Sequence, residues 1–181
     1  MSKMKIATVW LDGCSGCHMS MFDMDEKLID ILEKVDLVYS PLVDAKEFPE
    51  GVDVTVIEGG VGSEEDKHML ELIRARTHML VSYGDCAVTG NVPSLRNRFS
   101  VDDLIKRSYI ENVSAHGDGG GNVPGDAVPR LLPVERPLHE VVRVDVFIPG
   151  CPPRPGLTYF MLKELLEGRM PDLKEKTRFG L

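Results

Sequence analysis

At 181 residues the chain suits one ordinary domain, and a domain of that size buries about 70% of the surface its unfolded chain exposes, so it folds without a staple. Hydrophobic residues make up 43% and charged residues 28%, a balance that excludes a wholly disordered chain. The 21 basic and 29 acidic residues leave a net charge of −8, which gives no long-range pull toward phosphate backbones and speaks against a nucleic-acid partner.

Residues 5–11 (KIATVWL) read as a strand that runs into a loop at Asp12-Gly13. Residues 20–34 carry Phe22, Leu28, Ile29 and Leu32 at mixed steps, with Val35 behind them, and predict one amphipathic helix. Strands follow at 36–40, closed by Pro41, and at 53–58, stopped by Gly59-Gly60. Ser63 with Glu64, Glu65 and Asp66 behind it predicts a helix start: a capping hydroxyl, then acids at the positive end of the helix dipole. That helix runs to Arg76; strands at 78–82 and 144–148 and a helix at 156–167 complete the set. Strands alternating with helices give an α/β fold, a doubly wound parallel sheet covered on both faces, most simply in the flavodoxin-like order.

Residues 112–140 break this rhythm. Gly117, Gly119, Gly120, Gly121, Gly125, Pro124, Pro129, Pro133 and Pro137 crowd a span that no helix or sheet is expected to accommodate, so a long irregular Gly/Pro-rich excursion is predicted. The expected organisation is one domain over 1–168, containing that excursion, and a polar, aperiodic C-terminal tail over 169–181. No run approaches the ~20 apolar residues of a membrane span. Asp12 and the motif behind it stand where a signal peptide would place its small-residue cleavage site. The expected location is the cytoplasm, where reducing conditions keep cysteines out of ordinary structural disulfides.

The four cysteines therefore need another explanation. Cys14 and Cys17 lie in DGCSGC after the first strand, Cys86 in SYGDCAVTG after the strand at 78–82, and Cys151 in IPGCPPRPG after the strand at 144–148. Loops at the carboxyl ends of parallel strands share one edge, where ligand crevices form. Four thiolates meeting there suit a tetrahedral zinc or an iron–sulfur cluster. Zinc sites usually show two short ligand pairs, whereas Cys86 and Cys151 are 65 residues apart. A cubane is wider than one ion and accepts ligands from separate loops. Gly13, Gly16, Gly84 and Gly150 near the cysteines free the backbone to turn amide N–H groups toward sulfur, and Pro152 follows Cys151 as in ferredoxin motifs. Cys14-Ser15-Gly16-Cys17 is also a CxxC, so a thioredoxin-like redox pair and a zinc-stabilised interaction module stand beside the cluster as alternatives.

GCSGC near the start, EGG after the strand at 53–58, GDCAVTGNVPSLRN and VDVFIPGCPPRPG together resemble the small, electron-transferring subunit of nickel–iron hydrogenases, above all the short form found in cytoplasmic, bidirectional, NAD-reducing enzymes. The likeness spans residues 5–167. The cluster-bearing subunit of NADH:quinone oxidoreductase shares GCPPRP but is expected to carry two adjacent cysteines in its first loop, where this chain has two residues between Cys14 and Cys17. The resemblance implies that Cys14, Cys17, Cys86 and Cys151 bind one 4Fe-4S cluster, the one nearest a nickel–iron centre held by the large subunit. Longer small subunits carry two further clusters, for which this chain has no thiols. The implied role is a one-cluster relay from the hydrogenase large subunit to iron–sulfur and flavin diaphorase subunits that serve NAD, within a hydrogen:NAD oxidoreductase whose active site the partner supplies. A relay subunit of NADH:quinone oxidoreductase is the alternative.

Other residues at this edge carry expectations of their own. Glu58 ends a strand in the EGG that the resemblance shares, and is a candidate proton relay or a solvated strand-end acid. Asp12 and Asp85 flank cysteines and are expected to accept hydrogen bonds from loop amides. Ser63 at a helix start is a candidate phosphate holder, which with the flavodoxin-like architecture raises flavin mononucleotide (FMN) near the cluster, although no GxxxxGK fingerprint is present. His18 is expected to be an exposed helix-start residue; His68, His78, His116 and His139 show no metal-pair spacing. Met19, Met21 and Met24 are expected to offer flexible apolar contacts to a partner, Trp10 to be core or interface, and Arg154 to lie in the surroundings of the partner or cluster.

Overall fold

In the computed structural model, which describes residues 3–112 and 123–177, the apolar runs pair as parallel strands. In chain order the strands are β1 (Met4–Trp10), β2 (Val35–Tyr39), β3 (Val52–Glu58), β4 (Val61–Ser63), β5 (Thr77–Tyr83), β6 (Leu131–Arg136) and β7 (Val146–Ile148). Five of them form one sheet in the order β2-β1-β3-β5-β7, every neighbour parallel. Counting these five alone, the order is 2-1-3-4-5, that of flavodoxin-type sheets, and it reverses between β1 and β3.

Both faces of the sheet are buried, which is why β3 reads as a nearly unbroken apolar run. On one side Ile6, Val54, Val56, Val81 and Ile148 join a core with Met24 and Ile31, next to and within α2 (Glu26–Leu32), and with Leu157, Met161 and Leu165 of α6 (Pro155–Leu166). On the other side Ala7, Val9, Leu11, Ile57 and Leu80 join Leu70 and Ile73 of α3 (Glu64–Arg76). Each such aliphatic side chain contributes about 1.5–3 kcal/mol by leaving water. Ser63 caps α3 as the sequence predicts: its hydroxyl accepts from the Asp66 N–H at 3.1 Å, and Asp66 Oδ2 accepts from the Ser63 N–H at 2.8 Å.

Two expectations need correction. The helix predicted over 20–34 is two helices, α1 (Gly16–Phe22) and α2, parted at Asp25, whose φ is 52°. The aspartates at 23 and 25 favour turns over helix interior, since a short polar side chain competes for nearby backbone groups. The second correction concerns 112–140, where the irregular excursion ends in regular structure. β6 pairs antiparallel with β4, and Leu138–Glu140 forms a 3-10 turn that buries Leu138 in the core. Pro133 is tolerated because this ribbon has only two strands and leaves one side of β6 without a ladder. Gly117, Gly119, Gly120 and Gly121 lie outside the described residues.

Short elements fill the path between β5 and that ribbon. They are α4 (Asp85–Thr89), a 3-10 turn at Pro93–Arg98, and α5 (Val101–Ile105), which widens into a further turn at Lys106–Ile110. Beyond α6, Leu173 packs against the first core and the Lys176 ammonium lies 4.4 Å from the centre of the Phe160 ring. No described helix is long and apolar enough to cross a membrane.

Candidate metal centre

The sheet reverses at β1 and β3, so its crevice opens at the carboxyl ends of those strands. The Asp12 N–H donates to the Gly60 carbonyl at 3.2 Å and the Gly60 N–H returns a bond to Asp12 at 2.8 Å, which ties the first cysteine loop to the end of β3. Cys17 then falls in the first turn of α1. On the other flank Cys86 rides on α4, entered through Gly84 at φ +86°. Gly84 N–H donates to the Ile148 carbonyl, Asp85 N–H to the Gly150 carbonyl, both at 2.8 Å, and Gly150 N–H to Asp85 Oδ1 at 2.6 Å. The loops of Cys86 and Cys151 are thereby stitched together, and Asp85 accepts from a loop amide as expected. A Cβ at Gly84 would strike Cys17 Sγ, so the first loop closes down on the other two.

The four thiols feel one another. Burial pushes the Cys17 thiol far up, the Glu58 carboxylate adds to it, and Cys86, Cys14 and Cys151 each add more. Cys86 is raised by burial first and then by Cys151 and Cys14, against hydrogen bonding from the Val92 backbone and the Asn91 side chain. Four thiolates here need compensating positive charge, which a metal centre bound by them would supply with its own charge. Cys14 and Cys151 are exposed while Cys17 and Cys86 are half-buried. Among the described residues no group of three or more His, Cys, Asp or Glu side chains is arranged to hold a metal ion. A tetrahedral zinc draws its sulfurs to about 2.3 Å from one point, and a cubane spreads them wider. A redox pair of Cys14 and Cys17 would leave the stitched approach of Cys86 and Cys151 without a purpose.

Glu58 and His18 depart from expectation. Glu58 is 2% exposed, not a solvated strand-end acid, and His18 is 7% exposed, not an exposed helix-start residue. Glu58 Oε2 accepts the His18 backbone N–H at 2.5 Å and lies 2.8 Å from Nδ1, so the tautomer with hydrogen on Nδ1 completes the pair. The ring's far nitrogen, Nε2, is buried without a hydrogen-bond partner among the described residues. One signal for this existed in the sequence: His18 and Met21 are three apart and share the inward stripe of α1, and both line an apolar cavity of about 130 Å³ with Ile6, Phe22 and Leu28. Glu58→Leu strands two donors of His18 in the interior and is expected to lower unfolding free energy by about 2–3 kcal/mol. Glu58→Gln, which keeps an acceptor oxygen, is expected to recover most of that in a urea titration.

The remaining residues divide. Ser63 cannot serve a phosphate, because its hydroxyl donates to Asp66 Oδ2 at 2.7 Å and Glu64, Glu65 and Asp66 crowd the same helix start with negative charge. The Asp12 carboxylate meets Glu135 rather than loop amides. Met24 belongs to the core and Met21 packs against it, leaving Met19 exposed. Trp10 is about half exposed, with its indole N–H donating to the Gly13 carbonyl at 3.1 Å. Arg154 is exposed at the start of α6.

Comparison with known proteins shows the family and the fold. Residues 14–165 match the family model described as NADH ubiquinone oxidoreductase, 20 Kd subunit. The chain is 43% identical over 172 residues to the delta subunit of the NAD-reducing hydrogenase HoxS of Cupriavidus necator, covering 94% of this chain and 82% of that one. It is 42% identical over 174 residues to a subunit of the F420-non-reducing hydrogenase of Methanothermobacter marburgensis, covering 94% of this chain and 56% of that one. The chain thus spans a little over half the length of that longer relative. A chain in the crystal structure of an NAD+-reducing NiFe hydrogenase in the H2-reduced state superposes with a TM-score of 0.93 at 39% identity, covering 98% of this chain and 99% of that one. With the family model covering most of its length, and a hydrogenase subunit matched nearly end to end, the chain belongs to the NADH ubiquinone oxidoreductase 20 Kd subunit family, among its nickel–iron hydrogenase small subunits.

Proposed function

We propose that this chain is the electron-transfer subunit of a cytoplasmic, NAD-reducing nickel–iron hydrogenase, working from one 4Fe-4S cluster held by Cys14, Cys17, Cys86 and Cys151. The observation that carries the reading is the delivery of four thiols to one switch-point edge by three loops far apart in sequence. When bound, such a cluster takes up or gives back one electron at a time, at a potential set by hydrogen bonds to sulfur, local charge and exclusion of water. The chain supplies the first two of these controls. The Gly16 N–H donates to Cys14 Sγ at 3.4 Å, and the buried Glu58 carboxylate places negative charge near Cys17. Glu58 Oε2 is also the proposed proton-relay atom, held in place by the two His18 N–H groups.

Water exclusion has to come from a partner, since Cys14 and Cys151 are exposed. Exposed Trp10 and Met19 beside the first loop, and Val92 and Leu95 after α4, offer apolar surface for it. The proposed partner on this edge is the hydrogenase large subunit carrying the nickel–iron centre, with iron–sulfur and flavin diaphorase subunits taking electrons on to NAD. Flavin mononucleotide near the cluster is proposed on the flavodoxin-type strand order alone, since the Ser63 hydroxyl donates to Asp66. The family description supports a second reading, a relay subunit of a quinone reductase.

The test is anaerobic purification of the native complex. A brown sample with broad sulfur-to-iron absorbance, and a large subunit carrying nickel that co-purifies, are expected. A colourless sample would point to the zinc module, and colour without nickel to the quinone reductase.

A further inference from the structure

Glu135 lies on β6, the strand hidden in the Gly/Pro-rich span, and is 2% exposed. No described N–H or O–H donates a hydrogen bond to either of its oxygens. The nearest cation, Arg96, pairs with it loosely: Nη2 lies 3.5 Å from Oε2, while one N–H each of Nη1 and Nη2 goes to the Leu132 and Gly62 carbonyls, at 3.0 and 2.8 Å, and the buried Nε has no partner among the described residues. What the carboxyl group meets is the carboxylate of Asp12. A Cβ at Gly62 would strike Asp12 Oδ2 and Glu135 Oε2 together, and one at Gly60 would strike Glu135 Oε1, so two bare glycines open one slot for two acids. Asn97 fixes the Glu135 backbone: it accepts the Glu135 N–H at 2.7 Å and donates to the Glu135 carbonyl at 2.9 Å.

Two ionised carboxylates do not share a buried slot whose one nearby cation makes no hydrogen bond to either Glu135 oxygen; one of them keeps its proton and becomes the donor. Glu135 is that one. Burial, then the charge of Asp12 and a hydrogen bond to it, push the Glu135 carboxyl up to about 8, with Asp66 adding and Arg96 opposing. Asp12 in turn is bonded through its backbone to Gly60 and stands two residues ahead of Cys14.

We propose that Glu135 is a positioning residue for the first cysteine loop: its carboxylic O–H donates to Asp12, and Asp12, anchored on Gly60, fixes the turn that presents Cys14 and Cys17. This rests on the cluster-binding reading above and deepens it. The groups facing the Glu135 carboxyl are Asp12 from the loop after β1, Asp66 from α3 and Arg96 from the 3-10 turn. Below a pH of about 8 Glu135 is neutral and donates; above it the proton leaves, the bond is lost and two negative charges face each other.

The test uses the intact complex, purified anaerobically with the wild-type chain, Glu135→Gln, Glu135→Leu and Cys86→Ser. The electron paramagnetic resonance signal that Cys86→Ser abolishes marks the cluster, and the rate at which an iron chelator bleaches it is read at pH 7 and pH 9. Loss of an outer support typically weakens a metal site by roughly 10–100-fold, so Glu135→Leu is expected to bleach that much faster at both pH values. Wild type is expected to bleach slowly at pH 7 and about 10-fold faster at pH 9. Glu135→Gln, whose amide N–H donates to Asp12 at either pH, is expected to match the slow wild-type rate at both. If Glu135→Leu does not assemble, the comparison of wild type with Glu135→Gln across pH decides alone. A wild-type rate unchanged between pH 7 and 9, or a Glu135→Gln rate as fast as wild type at pH 9, overturns the shared proton. The absence of any Cys86-dependent signal overturns the cluster reading and this inference with it.

Discussion

Replacing Cys86 by serine is expected to remove the cluster spectrum and abolish hydrogen-dependent reduction of NAD by the complex. A serine hydroxyl at this half-buried position does not give up its proton as a thiol does, so one corner of the ligand set is lost. The same outcome is expected for Cys14, Cys17 and Cys151, the other members of the proposed ligand set, each of which bears on Cys17 or is Cys17 itself. Cys86 is the informative position. A redox pair made of Cys14 and Cys17 alone would survive its replacement, and an unchanged spectrum in Cys86→Ser rejects the four-cysteine assignment. Measured together, visible absorbance, iron content and NAD reduction separate loss of the cluster from loss of the fold.

Gly84→Ala is expected to lower cluster content without replacing a cysteine. The residue holds φ at +86°, where a Cβ costs about 1–2 kcal/mol, and that Cβ would also strike Cys17 Sγ, adding about 1–3 kcal/mol of overpacking. At roughly 2–4 °C per kcal/mol for a chain of this size, thermal unfolding should shift down by about 5–15 °C. Displacement of Cys17 should also lower cluster content. Gly51→Ala provides the control. Its φ is +67° but nothing lies within 4 Å of the added atom, so it carries the backbone cost alone and is expected to leave the cluster intact. Equal iron content in Gly84→Ala and Gly51→Ala would show that the Gly84 contact does not hold the first loop in place.

The parts of this fold that were legible in the sequence are those whose signal is local. The strands at 5–11, 53–58 and 78–82 appear within a residue or two of their expected ends, because a strand buried on both faces has to be apolar along its length. The Ser63 cap needed only four residues, from the serine to Asp66, to declare itself. The shared edge of the four cysteines followed from their places after strands, since in a parallel sheet every such loop leaves on the same side.

What stayed hidden depends on partners far away. β6 carries Pro133 and no clean alternation; it becomes a strand because β4, some 70 residues earlier, offers a ladder and Arg96 and Asn97 satisfy its carbonyls. The break at Asp25 divides a helix whose apolar steps read as continuous. The sequence alone leaves Glu58 open between a proton relay and a solvated strand-end acid and reads His18 as exposed, because no local pattern marks an acid that will be covered by the first turn of a helix returning over its strand.

The amino-acid sequence by itself determined the alternation of strands and helices, and with it the edge to which Cys14, Cys17, Cys86 and Cys151 are delivered, because those signals are periods and caps read over a few neighbouring residues. Only the tertiary structure decided which acids at that edge lie in the dark, Glu58 against His18 and Glu135 against Asp12. The reason is physical: burial of a carboxyl group is set by whatever chain crosses above it, and the cost of its charge is settled by whether that crossing brings a donor, a cation or a second acid.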